Sequence, residues 1–416
     1  MSDIVLRGAV LPDGAPADVH VTDGVVSAVT PPGTRPAGRA ELDLSGWLLG
    51  CALVEPHAHL DKVFTYGRVE NPGGTLAGAV AGYATVVGEF TTADIRSRAR
   101  RALRMLAANG VTAVRTHVGC GRLLGLRGVD ALVEVREEWA GLIDLQVVAQ
   151  IGGPESGASW RQHVNVLREA VGAGADVIGG APSVEEDPRQ ALDACFTVAT
   201  EVGVPVDFHV DETADPAAGD LERLVGLAAG VDVPVVASHC VALGSVDRGY
   251  AADLAARAAA AGVGVVALPA TNLYLQGRGP AHPQVRGLTA LEALADAGVV
   301  VAAGGDNVCD PFNPVGRLDP LETAALLVTA GHRTVGEAHK MVTDSARRLL
   351  RLPPAGPAVG RRADLLAVRA GNLVEAIGLA SAERMVFRGG ELISATRLDR
   401  HGPVHSLPTV ESSVIR

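Results

Sequence analysis

The side chains best placed to do chemistry in this sequence are a histidine pair, three later histidines, one aspartate and one glutamate. His57 and His59 stand in Val54-Glu55-Pro56-His57-Ala58-His59. On extended backbone, residues two apart face the same side, so the pair presents two imidazoles together. His117, His209 and His239 each close a short apolar run, and Asp306 follows another after Gly304-Gly305. A lone histidine at such a place is ordinarily structural. The joint occurrence of the pair, the later histidines and the aspartate points to a metal. Three histidines and one aspartate, with room left for water, describe a catalytic site rather than a closed structural one. A metal ion there lowers the pKa of bound water and makes hydroxide available at physiological pH. Glu212, in His209-Val210-Asp211-Glu212, is placed to take a proton from that water and return it to a leaving nitrogen. His239 is open to two roles: a further ligand, or a base and hydrogen-bond partner of the attacking water.

These residues need elements to hold them. Short apolar runs recur at Leu48 to Val54, Val111 to Val118, Leu145 to Ile151, Asp176 to Ile178, Val204 to Val210, Val235 to Ser238, Gly262 to Leu268 and Val299 to Ala303. Between most of them lie stretches with Ala, Leu, Arg and Glu at helical spacing: Ala93 to Ala108, Trp160 to Val171, Gln190 to Glu201, Leu221 to Ala229, Ala251 to Ala261 and Leu288 to Asp296. Strand then helix, repeated about eight times, predicts parallel α/β architecture closed into a (β/α)8 TIM-type barrel. An open doubly wound sheet would want a Gly-rich phosphate loop. Gly119-Cys120-Gly121 lacks the third glycine, so that alternative is discounted. In a barrel, chemistry sits where strands end at the C-terminal face, which is where the histidines and Asp306 fall.

Both chain ends have another texture. Ile4 to Val10, Asp18 to Thr22 and Val25 to Val29 read as strands, with Asp23-Gly24 as a hairpin turn. Ala363 to Val368 and Met385 to Ile393 read the same way around Gly389-Gly390. The expected organisation is a small β-sandwich from residues 1–48 plus 358–416, around a barrel of 49–357. The tail from Ala395 to Arg416 is expected to be an extended arm.

Composition narrows the function classes. The 416 residues are 48% hydrophobic and 20% charged, enough apolar content for a sizeable core. Aromatics are only 3%, so that core is built mainly of Ala, Val and Leu. A net charge of -11 offers no surface for nucleic acid or an anionic membrane. The N-terminus MSDIVLRGAV has no apolar signal core, and no uncharged apolar run reaches the roughly 18 residues of a membrane helix. Five cysteines, separate and without a CxxC pair, fit reduced thiols in a cytoplasm.

The segments VEPHAHLDK, VRTHV, HVDE, ASHC, LYLQGRG and GGDNVCDPFNPVG, in this order, carry a family resemblance. The chain resembles the cytosine deaminase branch of the amidohydrolase superfamily, to which N-isopropylammelide amidohydrolases also belong. The resemblance runs from about Ile4 to Ile393. It implies one divalent metal, Zn2+ or Fe2+, held by His57, His59, His209 and Asp306. It implies Glu212 as acid/base, and His239 as the residue that holds the hydrolytic water and polarises the substrate. Asp306 would also accept a proton from the attacking water. No lysine ends the fourth strand run, so a carbamylated-lysine binuclear centre is not expected.

Departures from that pattern concern the substrate. Asn307 stands where cytosine deaminases carry a second aspartate; it offers a donor and an acceptor but no charge. Gln150 is two positions early for their substrate-reading glutamine, and Phe312 replaces their tryptophan. These changes point away from cytosine itself. Of 36 basic residues only Lys62 and Lys340 are lysines, and Lys62 lies three residues after His59. Its compact ammonium is a candidate to hold a ring carbonyl or carboxylate. Gln276 is a candidate hydrogen-bonding partner. Phe64 and Tyr66 either wall a planar substrate or pack beneath the loop, and His117 either approaches the pocket or is a satisfied core residue. His20, His163, His282, His332, His339, His401 and His405 are assigned no chemistry.

The function expected is a metal-dependent aminohydrolase, a hydrolase of non-peptide carbon–nitrogen bonds. Metal-bound hydroxide would attack an amidine-like carbon of a small nitrogen heterocycle. The alternatives are hydrolysis of a cyclic amide, an imide or an N-alkylamino-triazine, and a non-catalytic ligand-binding barrel. The partner expected is a small heterocycle, not nucleic acid or membrane, with homo-oligomerisation left open.

Overall fold

The computed structural model describes residues 3–33, 40–153, 158–278 and 284–398. The chain starts with five short strands: β1 (Ile4–Val10), β2 (Pro16–Thr22), β3 (Val25–Thr30), β4 (Ala40–Asp43) and β5 (Leu48–Cys51). The barrel strands follow: β6 (Leu53–Ala58), β7 (Val111–Gly119), β8 (Asp144–Ile151), β9 (Val177–Gly180), β10 (Val206–Val210), β11 (Val235–His239), β12 (Gly264–Ala267) and β13 (Val301–Ala303). They pair in parallel and in chain order from β6 to β13. The chain closes with β14 (Leu365–Val368), β15 (Arg384–Arg388) and β16 (Glu391–Thr396). These join β5, β1, β2 and β3 in one sheet of order β16-β15-β14-β5-β1-β2-β3, with β4 beside β1. Its inward residues from both chain ends, among them Leu6, Val19, Leu49, Leu365 and Phe387, form a core separate from that of the barrel.

The barrel helices bury one stripe each. In helix Thr92–Ala108 the buried residues Ile95, Ala99, Ala102, Leu103 and Leu106 follow the helical period, and Thr91 caps the N-terminus by accepting from Asp94 N. Helix Pro188–Val202 starts with proline in its first turn and ends at Gly203, whose φ of 73° supplies the left-handed cap.

The seam between β6 and β13 is closed by a side chain. Asp306 N donates to His57 O at 3.0 Å. Glu55 accepts from His57 N at 3.2 Å and, with both oxygens, from Gly305 N at 3.0 Å. Burial pushes the Glu55 carboxyl up to about 8, against the pull of those amides. A Cβ on Gly304 would stand 2.4 Å from Glu55 Oε1, so the seam requires glycine there.

Two expectations change. The run Leu48 to Val54 is not one strand: β5 pairs antiparallel with β14 in the end sheet, whereas β6 pairs with β7 in the barrel. Both pieces are wholly buried, so no change of period marks the switch at Ala52. Helix Leu76–Ala84 was not foreseen; it stands between β6 and helix Thr92–Ala108. The expected arm beyond Ala395 falls mostly outside the described residues, as do His282, His401 and His405. Among the described residues, no helix is long and apolar enough to cross a membrane.

Candidate active site

Strand β6 ends in His57-Ala58 with His59 next in the chain, β10 carries His209, β11 ends in His239, and Asp306 follows β13. All five side chains are buried. His57 Nε2 and His59 Nε2 each lie 3.1 Å from His209 Nε2. Asp306 Oδ1 lies 3.6 Å from His57 Nε2 and 3.3 Å from His59 Nε2. Four ligand atoms about 2.1 Å from one cation would stand about 3.4 Å apart in a tetrahedron, and these separations bracket that value. His209 Nδ1, His239 Nε2 and both Asp306 carboxylate oxygens have no hydrogen-bond partner among the described residues. Burial, followed by the neighbouring imidazoles and Lys62, holds His57, His59 and His209 well below the usual histidine range. Neutral imidazoles and a free carboxylate edge are what a divalent cation needs, so the donor set fits one.

The backbone is bent at these positions. His239, Cys240, Asp306 and Asp211 have φ of 71°, 51°, 65° and 50°, where non-glycine residues are uncommon. Such conformations persist where surrounding structure over-determines them, and here they cluster at strand ends that aim polar groups inward. Asp211 secures its loop by accepting from Asp220 N at 2.9 Å and Leu221 N at 3.1 Å.

Glu212 opens from that loop beside the cluster. Its Oε1 lies 3.6 Å from His239 Nδ1, and His239 Nε2 lies 4.0 Å from Asp306 Oδ2. Burial, then the Asp306 charge, raises the Glu212 carboxyl well above the usual range, with Lys62 opposing. A carboxyl so placed favours its protonated form. His239 Nδ1 faces Asn272 Oδ1 at 3.2 Å.

The cluster forms the floor of a cleft whose lining includes Lys62, Tyr83, Gln150, Glu212, Asn307 and Phe312. Lys62 Nζ stands 4.2 Å from the ring centre of Phe312 and 5.6 Å from that of Tyr83. Aromatic faces attract the ammonium without neutralising it. Asn307 Nδ2 donates to Asp310 Oδ2 at 2.9 Å, which commits its amide nitrogen away from the cleft. Asp310 Oδ1 accepts from Phe312 N and Asn313 N, and burial pushes its carboxyl up to about 6. Gln150 belongs to β8 yet reaches the cleft.

Other expectations need correction. Gln276 does not line the cleft; its Nε2 donates to the backbone oxygen of Glu212 at 2.9 Å and so braces that loop. Of the two places expected for Phe64 and Tyr66, the cleft wall is not the one they take, which leaves packing with the loop. Phe64 lies under the Arg101 guanidinium at 4.0 Å, and Tyr66 is tied by its backbone N–H to Cys309 O. The wall comes instead from Leu76, Val80 and Tyr83 on the unforeseen helix, at helical spacing that sequence reading could have flagged. Of the two places expected for His117, the structure gives the approach to the site: its ligand atom lies within 4.8 Å of those of His57 and His209, and its Nε2 is 3.8 Å from Asp207 Oδ1. It stacks on His57 at 4.0 Å between ring centres, and neither ring nitrogen has a hydrogen-bond partner among the described residues. Asn272, Asp310, Ser238 and Asp207 had no distinguishing signal in isolation.

The sequence profile of the amidohydrolase family matches residues 67–376, a stretch containing His209, Glu212, His239 and Asp306. A pterin deaminase of Rhizobium rhizogenes is 34% identical over 92% of this chain and 89% of its own. The crystal structure of 5-methylcytosine deaminase from Klebsiella pneumoniae with 5-fluorocytosine superposes with a TM-score of 0.87 at 30% identity, covering 96% of this chain and 99% of that one. N-isopropylammelide isopropylaminohydrolase from Burkholderia multivorans superposes with a TM-score of 0.81 at 28% identity, covering 95% and 99%.

Proposed function

The chain belongs to the amidohydrolase family, which is metal-dependent, and from that premise we propose that it is an aminohydrolase of an amino-substituted nitrogen heterocycle. The observation that carries the reading is the convergence of Glu212, His239 and Asp306 at the floor of one cleft, beside the His57, His59 and His209 nitrogens. In this reading His57, His59, His209 and Asp306 hold one divalent cation, Zn2+ or Fe2+. When bound, the cation supplies Lewis acidity that brings the pKa of water toward neutrality. Asp306 takes a proton from the attacking water, and that proton leaves with the amine. Glu212, whose protonated form burial favours, donates to a ring nitrogen next to the reacting carbon and recovers a proton from the added hydroxyl as the carbonyl forms. His239 holds the incoming oxygen.

The relatives supply the ring class. Pterin and cytosine rings both carry an exocyclic amine on an amidine carbon, so we propose an aminopteridine or aminopyrimidine substrate. Phe312 and Tyr83 flank the planar ring. Lys62 meets a ring oxygen or carboxylate, and Asn307 turns its carbonyl to a ring N–H because its amide nitrogen is held by Asp310. Gln150 contributes a further polar contact. The barrel, residues 49–357 with Leu49–Cys51 lent to the end sheet, is the catalytic unit; residues 1–48 plus 358–416 support it. Five separate thiols, four of them buried, suit a reducing cytoplasm.

The test is a panel of aminopteridines, aminopyrimidines, triazines and cyclic guanidines offered to metal-loaded protein, read as released ammonia. Release from at least one ring, with a KM raised about 10-fold in Lys62→Met, is the expected result. Alkylamine release would favour a triazine substrate, as the name of the Burkholderia relative has it. A ring-opened product mass would favour amide hydrolysis. No amine from any compound would sink the reading.

A further inference from the structure

Beneath the ligand cluster a hydrogen-bonded chain crosses the barrel interior. Arg115 of β7 donates from Nη1 to Asp207 Oδ2 of β10 at 2.8 Å. Its Nε and Nη2 are taken by Gln146 Oε1 at 3.0 and 2.9 Å. Asp207 Oδ1 accepts from Ser238 Oγ of β11 at 2.9 Å, and the same Oγ lies 2.9 Å from His57 Nδ1. Arg115, Asp207, Ser238 and His57 are at most 1% exposed, and only Gln146 at the far end is half-buried, so bulk water does not reach the path from Arg115 to His57.

Counting hydrogens sets its direction. A guanidinium only donates, a carboxylate only accepts, and a serine hydroxyl has one hydrogen to give. Asp207, paired with Arg115, takes that hydrogen. Toward His57, Ser238 Oγ is then left to accept, so His57 Nδ1 carries the ring proton. Nε2 keeps its lone pair and faces His209 and Asp306. We infer that Arg115, Asp207 and Ser238 are positioning residues that lock His57 in the tautomer able to hold a cation at Nε2. The inference rests on the proposed role of His57 as a ligand. His59 needs no such chain, because its ring bonds to the backbone carbonyl of His117, which only accepts.

A substitution that keeps shape but reverses polarity tests this. In Asp207→Asn, Arg115 draws the amide oxygen, and the amide nitrogen turns toward Ser238. The hydroxyl must then accept from that nitrogen and donate to His57 Nδ1, which moves the ring proton to Nε2. Ser238→Ala only removes the lock. Zinc affinity of the full-length protein is measured by competition with a chromophoric chelator, with metal-free melting curves as the control for folding. The expected dissociation constant rises about 100-fold in Asp207→Asn and about 10-fold in Ser238→Ala. The double variant returns to the Ser238→Ala value, because no donor is left within reach of Nδ1. Wild-type affinity in Asp207→Asn, or a double variant weaker than Asp207→Asn alone, would overturn the inference. If Asp207→Asn does not fold, Ser238→Ala decides against Ser238→Thr, which keeps the hydroxyl. Loss in the first and retention in the second support the lock, and wild-type affinity in the first overturns it. Failure of the amine-release panel would remove the proposed reaction and leave this zinc ordering standing. A flat zinc ordering would do the reverse.

Discussion

Two of the places where the protein buries polar groups treat them in opposite ways. At the junction of the end sheet and the barrel, Arg384 donates to Asp319 through both terminal nitrogens, at 2.9 and 2.7 Å, and to the carbonyls of Asn109 and Ser381. Asp364 accepts from Arg347 Nη2 at 3.1 Å, Arg362 Nε at 3.0 Å and Gly389 N at 3.0 Å. Only one guanidinium nitrogen there, Arg347 Nη1, is left over among the described residues. At the barrel mouth, His117, His209, His239 and Asp306 together leave six side-chain atoms without hydrogen-bond partners among the described residues. An unmet buried polar atom costs about 1–3 kcal/mol, so a fold keeps such a cluster only for something that completes it. Burial alone does not separate structure from function in this barrel; the state of the hydrogen bonds does.

If that contrast holds, damage at the mouth removes turnover and damage at the junction removes stability. Glu212→Gln should give the largest effect. It keeps shape and metal stoichiometry while kcat falls about 100- to 10,000-fold, which single-turnover assays and metal analysis would read together. A variant that loses its metal with its activity would show that Glu212 belongs to the binding set instead. Asp364→Ala should unfold about 3–5 kcal/mol more easily in urea, because Arg347 is left buried without a counter-charge, while kcat per folded molecule stays near wild type. A large fall in kcat there would blur the two regions.

The smallest effect is a pH dependence at His117. Burial, then the neighbouring His209 and His59, holds its pKa well below the ordinary value. The folded protein therefore keeps the ring neutral where the unfolded chain binds a proton, below about pH 6.5. The stability that depends on a neutral ring is present above that pH and is lost as pH falls through it. Against the non-titrating His117→Gln, metal-free wild type should lose about 1.4 kcal/mol per pH unit below pH 6.5. Parallel stability curves for the two proteins would mean that His117 is not held neutral.

Much of this was legible before any coordinates. Seven of the eight apolar runs fall on barrel strands, and the first is shared between β5 of the end sheet and β6, because a strand buried on both faces reads as an uninterrupted apolar run. The HxH pair, the strand-end histidines and Asp306 were legible because period-two geometry and the barrel rule act over a few residues. For Gln276, Phe64 and Tyr66 the sequence leaves the direction open, because nothing local tells whether a polar or aromatic loop residue turns to the cleft or to its own scaffold. Tyr83 was missed because its helix was.

By itself the sequence determined the barrel, the paired chain ends, the histidines and aspartate at the strand ends, and Glu212 beside them. These follow from local periodicity and short spacing. Only the tertiary structure decided that His57 bonds to Ser238, 181 residues away, that Lys62 stands over Phe312, and that Asp310 takes the amide of Asn307. The first two join separate β/α units, and even the third depends on how the loop after β13 folds. Hydrogen-bond direction and ring tautomer are set by which groups meet in space.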